Sequence, residues 1–395
     1  MNNFFVDPDI NKAETLPSSF YKNDEQFEEV KEKVFANSWQ FVGHNSILPI
    51  NVNTYPFEFM QGFINEPLLI VKNQDESLKC LSNVCTHRAN IIIHNTGQVK
   101  DLKCLYHGRK FDLDGNFISM PEFQTAKDFP RECDSLRGFP LEKLGPFIFV
   151  GLEPNFDIDN VFAKIYERVS FLNLDHLEYR SDLSKDYMVN SHWALYCDNY
   201  LEGFHIPFVH DDLNSVLDHG DYETEIDDYF NVQIGYAKDG DNVFDFPKGH
   251  QDYGKNIAGY YYWIYPNFML NFYPWGLSMN IVKPINRNKT KVAYLSYVLD
   301  ESRLDSGAGS GLDKVEREDE FVVESSMFQY LVNISHPPSE PPSEKVYESS
   351  RPKPSFCSFV KSPYPGICDN SENWEPSTKK LYWSLKLLRA YPAGI

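Results

Sequence analysis

The chain has 395 residues, 42% hydrophobic and 15% aromatic, which supplies apolar surface for two cores rather than one. A formal net charge of −20 and a pI near 4.9 argue against nucleic acid or an anionic membrane as the main partner. The N-terminus has no signal-peptide pattern, no stretch reaches the roughly 20 apolar residues of a membrane helix, and seven scattered cysteines form no disulfide framework, so a cytoplasmic protein is expected.

In chain order, Phe20 to Trp39 reads as one amphipathic helix, with Phe27, Val30, Val34 and Phe35 on one side. Residues 1–45 are therefore an N-terminal helical segment, expected to pack on the second domain. Residues 46–154 change to short strand-like runs, including 67–71, 110–117 with a tight turn at Asp114-Gly115, and 147–151. This is a small all-β domain, followed by a polar connector at 155–159. Residues 160–325 mix types: a strand over 185–190, a helix over 192–205, a Tyr-rich strand over 257–269 and a hairpin joining 280–283 to 291–298. A flexible loop (304–311) and a helix (312 to about 331) complete this region. An α+β domain is the simplest account. From 326 to 395 the composition shifts, and ten of the 25 prolines fall there, so no helix of normal length runs through most of that tail.

Within the all-β region, Cys85-Thr86-His87 is followed by Cys104-Leu105-Tyr106-His107-Gly108. Each half offers one thiolate and one imidazole, the donor set of a Rieske [2Fe–2S] cluster, in which one iron takes two sulfurs and the other two nitrogens. Gly108 permits close backbone approach. A tetrahedral Cys₂His₂ zinc site is the alternative, but such sites usually pair like with like in each knuckle. His94 is left unassigned. Tyr106 is a candidate hydrogen-bond donor to the cluster, and Arg88 either balances its charge or is a plain surface arginine.

The second informative stretch is Glu202-Gly-Phe-His205-Ile-Pro207-Phe-Val-His210. Pro207 prevents one regular helix from carrying both histidines, so His210 can swing back toward His205. Two imidazoles and one carboxylate make a facial triad for Fe(II), with positions left open for O₂ and substrate. Asp319, in the acidic run 316–320 of the last predicted helix, is the best candidate carboxylate; such a run is also a common solvated face.

With these motifs in this order, the chain resembles the α subunit of a Rieske non-heme iron oxygenase, over roughly residues 20–325. That resemblance implies an all-β Rieske domain followed by an α+β catalytic domain, with a central antiparallel sheet flanked by helices. It implies a cluster on Cys85, His87, Cys104 and His107, and a mononuclear iron on His205, His210 and Asp319. It also implies a head-to-tail homotrimer in which Glu202 links His107 of one protomer to His205 of the next. Asn90 and Tyr106 stand where respiratory-type Rieske proteins carry a disulfide, so the cluster is of the low-potential kind. Glu202, in place of the aspartate of most ring dihydroxylases, is similar to the branch that oxidises choline, glycine betaine or carnitine, as are Asn199–Gly203 and Tyr273–Asn280. The aromatics of 260–265, with Phe268, Phe272, Tyr273 and Trp275, are candidates for a cation cage or for plain strand core.

The expected activity is O₂-dependent hydroxylation or demethylation of a small quaternary ammonium compound. Electrons would come from a separate NAD(P)H-dependent reductase or ferredoxin, since no dinucleotide fingerprint is present. Dihydroxylation of an aromatic ring, or a non-catalytic electron carrier with an empty iron site, are the alternatives.

Overall fold

The computed structural model describes residues 16–332 apart from 239–241; the Pro-rich part of the tail lies outside these. The chain divides into two compact units, Lys31–Leu177 and a second that joins the segment ending at Val30 to the chain from Glu178 onward. Among the described residues, no helix is long and apolar enough to cross a membrane.

The single helix expected from Phe20 is interrupted. It forms α1 (Ser18–Lys22), α2 (Asp24–Val30) and a wider turn over Lys31–Phe35. Asn23 is the cause: its backbone is extended, and its side-chain oxygen accepts from the Gln26 N–H at 3.1 Å, capping α2 instead of continuing α1.

The Lys31–Leu177 unit carries β1 (Trp39–His44), β2 (Thr54–Phe59), β3 (Glu66–Lys72), β4 (Leu78–Ser82), β5 (Leu102–Lys103), β6 (Lys110–Phe111), β7 (Phe117–Ser119), β8 (Gly138–Phe139), β9 (Leu141–Leu144) and β10 (Phe147–Gly151). They form three antiparallel sheets in the orders β1-β10-β9, β2-β3-β4-β8 and β5-β6-β7. A core of Leu69, Val71, Leu81, Leu102, Phe111 and Leu136 lies directly against Cys85 and Cys104. The sequence reading missed α3 (Ile158–Val169), whose start is capped by the Asp157 side chain and whose apolar face is buried.

A buried ion pair organises this unit. Arg109 Nη2 donates to Asp134 Oδ1 at 2.6 Å with both side chains almost fully buried. The guanidinium lies over the rings of Phe117 (5.0 Å), Phe129 (5.5 Å) and Phe111 (5.8 Å). Thr86 Oγ1 donates to the Asp134 carbonyl at 2.8 Å, so one residue fastens both Cys/His loops.

The second unit is built on β11 (Glu178–Val189), β12 (Leu217–Ile226), β13 (Phe230–Ala237), β14 (Ile257–Ile264), β15 (Phe268–Tyr273), β16 (Gly276–Asn286) and β17 (Lys289–Val298). These seven strands form one antiparallel sheet in the order β11-β17-β16-β15-β14-β13-β12. The expected Tyr-rich strand over 257–269 is in fact two strands turning at Tyr265-Pro266-Asn267. Every residue of β14 and β15 is buried, so both faces are covered and the alternation that separates strand from turn is lost. The hairpin of β16 and β17 forms as read, paired from Gly276↔Val298 to Asn286↔Lys289.

The expected flexible loop at 304–311 is instead anchored. Trp275 Nε1 donates to the Gly309 carbonyl at 3.1 Å, and a Cβ at Gly309 would sit 2.2 Å from that nitrogen. The expected helix over 192–205 stops at Tyr200, giving α4 (Trp193–Tyr200), α5 (Ile206–Val209) and α6 (Asp211–Val216). The last described helix, α7 (Leu312–Val332), runs through Ser325 and Ser326.

His192 joins the N-terminal helices to this unit. Its Nδ1 accepts from the Ala194 N–H at 3.2 Å, capping α4, and its ring meets those of Phe20, Tyr21 and Phe27 edge-on. Burial, with Arg287 nearby, pushes its pKa down to about 3.

Two outcomes follow from these contacts. Asp134→Ala leaves the Arg109 charge buried and unpaired; it should cost about 3–5 kcal/mol in chemical denaturation and loosen the second loop, while the Thr86 bond to the backbone carbonyl is kept. For His192, the unfolded ring binds a proton near pH 6.5 and the folded ring only near pH 3. Its contribution is therefore complete above pH 6.5 and falls by about 1.4 kcal/mol per pH unit as pH drops toward 3. His192→Asn keeps a cap acceptor but cannot titrate, so its melting temperature should decline less steeply on acidification than that of the wild type.

Candidate metal centres

The two Cys/His loops of the smaller unit have the same backbone scaffold. Cys85 N–H donates to Asn90 O and Ala89 N–H to Cys85 O; Cys104 N–H donates to Arg109 O and Gly108 N–H to Cys104 O, all at 2.8–3.0 Å. The residue four after each cysteine is left-handed, Ala89 at φ 52° and Gly108 at φ 75°. Glycine accepts that conformation freely; alanine does so at a cost. The sequence signalled only Gly108.

Cys85 and Cys104 are buried against the same core and close enough to act on each other's thiol, while the His87 and His107 rings lie 4.8 Å apart, centroid to centroid. Sulfurs thus pair with sulfurs and imidazoles with imidazoles, which fits a two-iron cluster better than one tetrahedral ion. Burial raises the Cys85 thiol. It acts the same way on Cys104, but the N–H groups of Tyr106 and His107, with Cys85 and Asn90, hold that thiol below its ordinary value. Asn90 Nδ2 is 3.7 Å from Cys104 Sγ, so the position of the absent disulfide holds a donor to sulfur. The Tyr106 ring lies against His107 at 3.7 Å and is 58% exposed, pointing outward beside the still more exposed Leu105.

In the larger unit, His205, His210 and Asp319 offer ligand atoms that all lie within 4.8 Å of one another. His210 Nε2 is 3.1 Å and His205 Nε2 3.5 Å from Asp319 Oδ1. Each imidazole turns its other nitrogen to a glutamate: His205 Nδ1 lies 2.8 Å from Glu202 Oε1, and His210 Nδ1 2.7 Å from Glu318 Oε2. A proton on each Nδ1 leaves both Nε2 lone pairs aimed at one point, the arrangement that metal-binding histidines adopt. Burial would lower His210, but Asp319 and Glu318 hold its pKa above the ordinary value.

Local sequence explains the positions. The break between Tyr200 and Ile206 puts His205 ahead of α5, whose second residue is Pro207, and His210 between α5 and α6. Glu202 also accepts from the Phe204 N–H, closing the turn that presents His205. Asn199 Nδ2 donates to Asp319 Oδ1 at 2.7 Å. Glu318 and Glu316 belong to this site, yet the sequence reading singled out Asp319 alone. The i, i+3 spacing of Glu316 and Asp319 was the available signal.

A cavity of about 80 Å³ opens on these groups, walled by Tyr196, Tyr200, Tyr222, Tyr261, Tyr273 and Tyr294. Of the aromatics read as cage candidates, Tyr261 and Tyr273 line it. Tyr260 and Trp275 instead hydrogen-bond to Asp252 and to Gly309. A polar ladder crosses its floor. Tyr200 donates to Asn271 Oδ1 (2.6 Å), Asn271 Nδ2 to Asn280 Oδ1 (3.3 Å), and Asn280 Nδ2 to Glu316 Oε1 (2.6 Å). Tyr196 OH donates to Glu316 Oε2. Burial, then the nearby Asp319 charge, pushes Glu316 up to about 7.

Residues 38–130 match the Rieske [2Fe-2S] domain model, and residues 174–328 match the model of the ring hydroxylating alpha subunit catalytic domain. Over 336 residues the chain is 28% identical to choline monooxygenase, chloroplastic, of Arabidopsis thaliana, covering 80% of this chain and 76% of that one. It is 28% identical over 311 residues to the carnitine monooxygenase oxygenase subunit of Escherichia coli K12, covering 77% and 79%. Two solved structures share the fold. One is the quaternary ammonium Rieske monooxygenase CntA (TM-score 0.63, 21% identity, 82% of this chain and 87% of that one). The other is naphthalene 1,2-dioxygenase from Rhodococcus sp. (TM-score 0.63, 15% identity, 96% and 95%). The two donor sets fit the [2Fe–2S] cluster and the mononuclear iron that these domains imply, and the chain belongs to the Rieske non-heme iron oxygenases, as a ring-hydroxylating α subunit.

Proposed function

We propose that this oxygenase hydroxylates or demethylates a small quaternary ammonium compound, using electrons from a separate NAD(P)H-dependent reductase or ferredoxin. The observation that carries the reading is the cavity: six tyrosines surround a small space beside His205, His210 and Asp319. Ring faces attract a cation that cannot hydrogen-bond. The likeness to choline and carnitine monooxygenases supports the same substrate class.

In this reading Cys85, His87, Cys104 and His107 hold the cluster, and His205, His210 and Asp319 hold the iron. When bound, the cluster supplies single electrons and the iron activates O₂ for insertion of one oxygen atom into a C–H bond. The chain's own residues do the remaining work. Glu202 and Glu318 hold protons on the Nδ1 atoms of His205 and His210 and fix both rings. Asn199 holds Asp319 in place. The tyrosine wall limits water and orients the methylammonium group. In a head-to-tail homotrimer, as the family resemblance implies, Glu202 would also connect His205 to His107 of a neighbouring protomer. The CntA structure is one described in terms of inter-subunit electron transfer.

Aromatic-ring dihydroxylation is the second reading, favoured by the fold shared with naphthalene 1,2-dioxygenase. Against it, the cavity floor is a ladder of hydrogen-bonded polar side chains ending on the buried carboxylate of Glu316, to which an uncharged ring supplies neither counter-charge nor hydrogen bond. A pure electron carrier has no use for three convergent ligands backed by two glutamates.

Metal analysis separates the two centres: wild type should hold about three irons per chain, and His210→Ala about two, with the Rieske electron paramagnetic resonance signal unchanged. Glu202→Gln should keep all three irons yet lose most turnover, because the reduced cluster no longer feeds the iron; rapid single-turnover reoxidation of the cluster reports this. The substrate class is tested by O₂ and NADH consumption with a surrogate reductase. Choline, carnitine and glycine betaine are compared with benzoate-type acids, and product-coupled O₂ uptake with only the aromatic acids would reverse the assignment.

A further inference from the structure

Glu316 is the cavity carboxylate with no cationic group in hydrogen-bond contact; His210 acts on it only from a greater distance. Glu202 and Asp319 each touch a histidine, whereas the hydrogen bonds of Glu316 come from two neutral donors, Tyr196 and Asn280. Its residue is only 7% exposed, and none of the described residues lining the cavity is a lysine or arginine. An ionised carboxylate so placed is poorly compensated by neutral donors alone and favours a cation beside it. The wall likewise offers a bound anion no lysine or arginine, and its two histidines are already turned to Asp319 and to the glutamates of the metal site.

The rest of the wall suits a hydroxyl. Tyr261 and Tyr294 line the cavity at 9% and 5% exposure; Tyr273 lies near the first hydroxyl and Ser278 and Ser296 near the second, but none of them makes a hydrogen bond of good geometry to it. Each can donate to or accept from a bound alcohol.

We propose that Glu316 is the counter-charge for the substrate's ammonium group, and that the cavity selects small cationic alcohols over trimethylammonium compounds that carry a carboxylate. This rests on the quaternary-ammonium reading above and narrows it. An amino alcohol places one positive charge at Glu316 and a hydroxyl toward the tyrosines. A betaine must bury its carboxylate among Tyr, Asn and Ser side chains, and beside three acidic residues.

The test is anaerobic titration calorimetry on the iron-loaded holoenzyme with choline, its neutral carbon isostere 3,3-dimethylbutan-1-ol, and carnitine. Choline should bind about tenfold or more tighter than either of the others, since one missing charge partner accounts for a factor of that order. Glu316→Gln should keep its iron and still bind the neutral alcohol, while choline loses its advantage. The wild-type comparison of choline with its isostere stands even if the variant does not fold. Equal binding of choline and isostere, or carnitine bound as tightly as choline, overturns the proposal while leaving quaternary-ammonium oxidation intact. Loss of iron from Glu316→Gln with the choline preference unchanged also overturns it, because Glu316 then serves the metal. If no trimethylammonium compound binds and an aromatic acid does, the substrate class itself falls.

Discussion

Asp319 meets two histidines from a segment more than a hundred residues earlier, with its Oδ1 3.1 Å from His210 Nε2 and 3.5 Å from His205 Nε2. That junction requires α7 to lie along the broken α4–α5–α6 run. The contact is maintained over the first turns of the helix, not at one point. Tyr196 and Asn280 hold Glu316, Asn199 holds Asp319, and Lys314 pairs with Asp212. The seven-stranded sheet supplies the floor, since Asn271 and Asn280 reach the cavity from neighbouring strands β15 and β16. A rigid helix on a rigid sheet can hold ligands to the tolerance that a metal site needs.

The acidic run on α7 shows how charge is used in such a place. Read alone, Glu316-Arg-Glu-Asp-Glu320 is a solvated helix face. In the folded chain three of its four carboxylates point inward, two against imidazoles and one among neutral donors. Asp319 faces imidazoles, Glu318 buttresses one of them, and Glu316 sits among neutral donors. Like charges this close are tolerated only when something positive completes the site. A divalent iron at the triad would meet part of that need, and the cationic substrate proposed above would meet the rest.

The smaller unit solves a different problem. Its two Cys/His loops are short, and neither could hold its shape alone. Matching backbone hydrogen bonds shape each loop, and the buried Arg109–Asp134 pair ties them together against the core that backs both cysteines. The tip of the second loop stays outside this packing, with Leu105 75% exposed, which leaves an approach for an electron-transfer partner beside His107.

Much of the chemistry was readable from residue types and spacing. The mixed Cys/His halves, the His205–Pro207–His210 break and the single strong acidic run each carry their meaning locally, because ligand type and chain stiffness are properties of neighbouring residues. The β16–β17 hairpin was legible for the same reason. What failed was everything decided by burial on both sides or by distant partners. The run 257–269 looks like one strand because both faces are covered, and the loop 304–311 looks free until Trp275 reaches Gly309. Likewise, no spacing rule could say that Glu316 would face a tyrosine-walled cavity with no lysine or arginine among its described lining, or that Asp134 would join both cluster loops. The sequence by itself determined which atoms can bind metal and where the chain must turn. Only the tertiary structure decided which charges are left to share one enclosed space, because that depends on what distant segments bring to it.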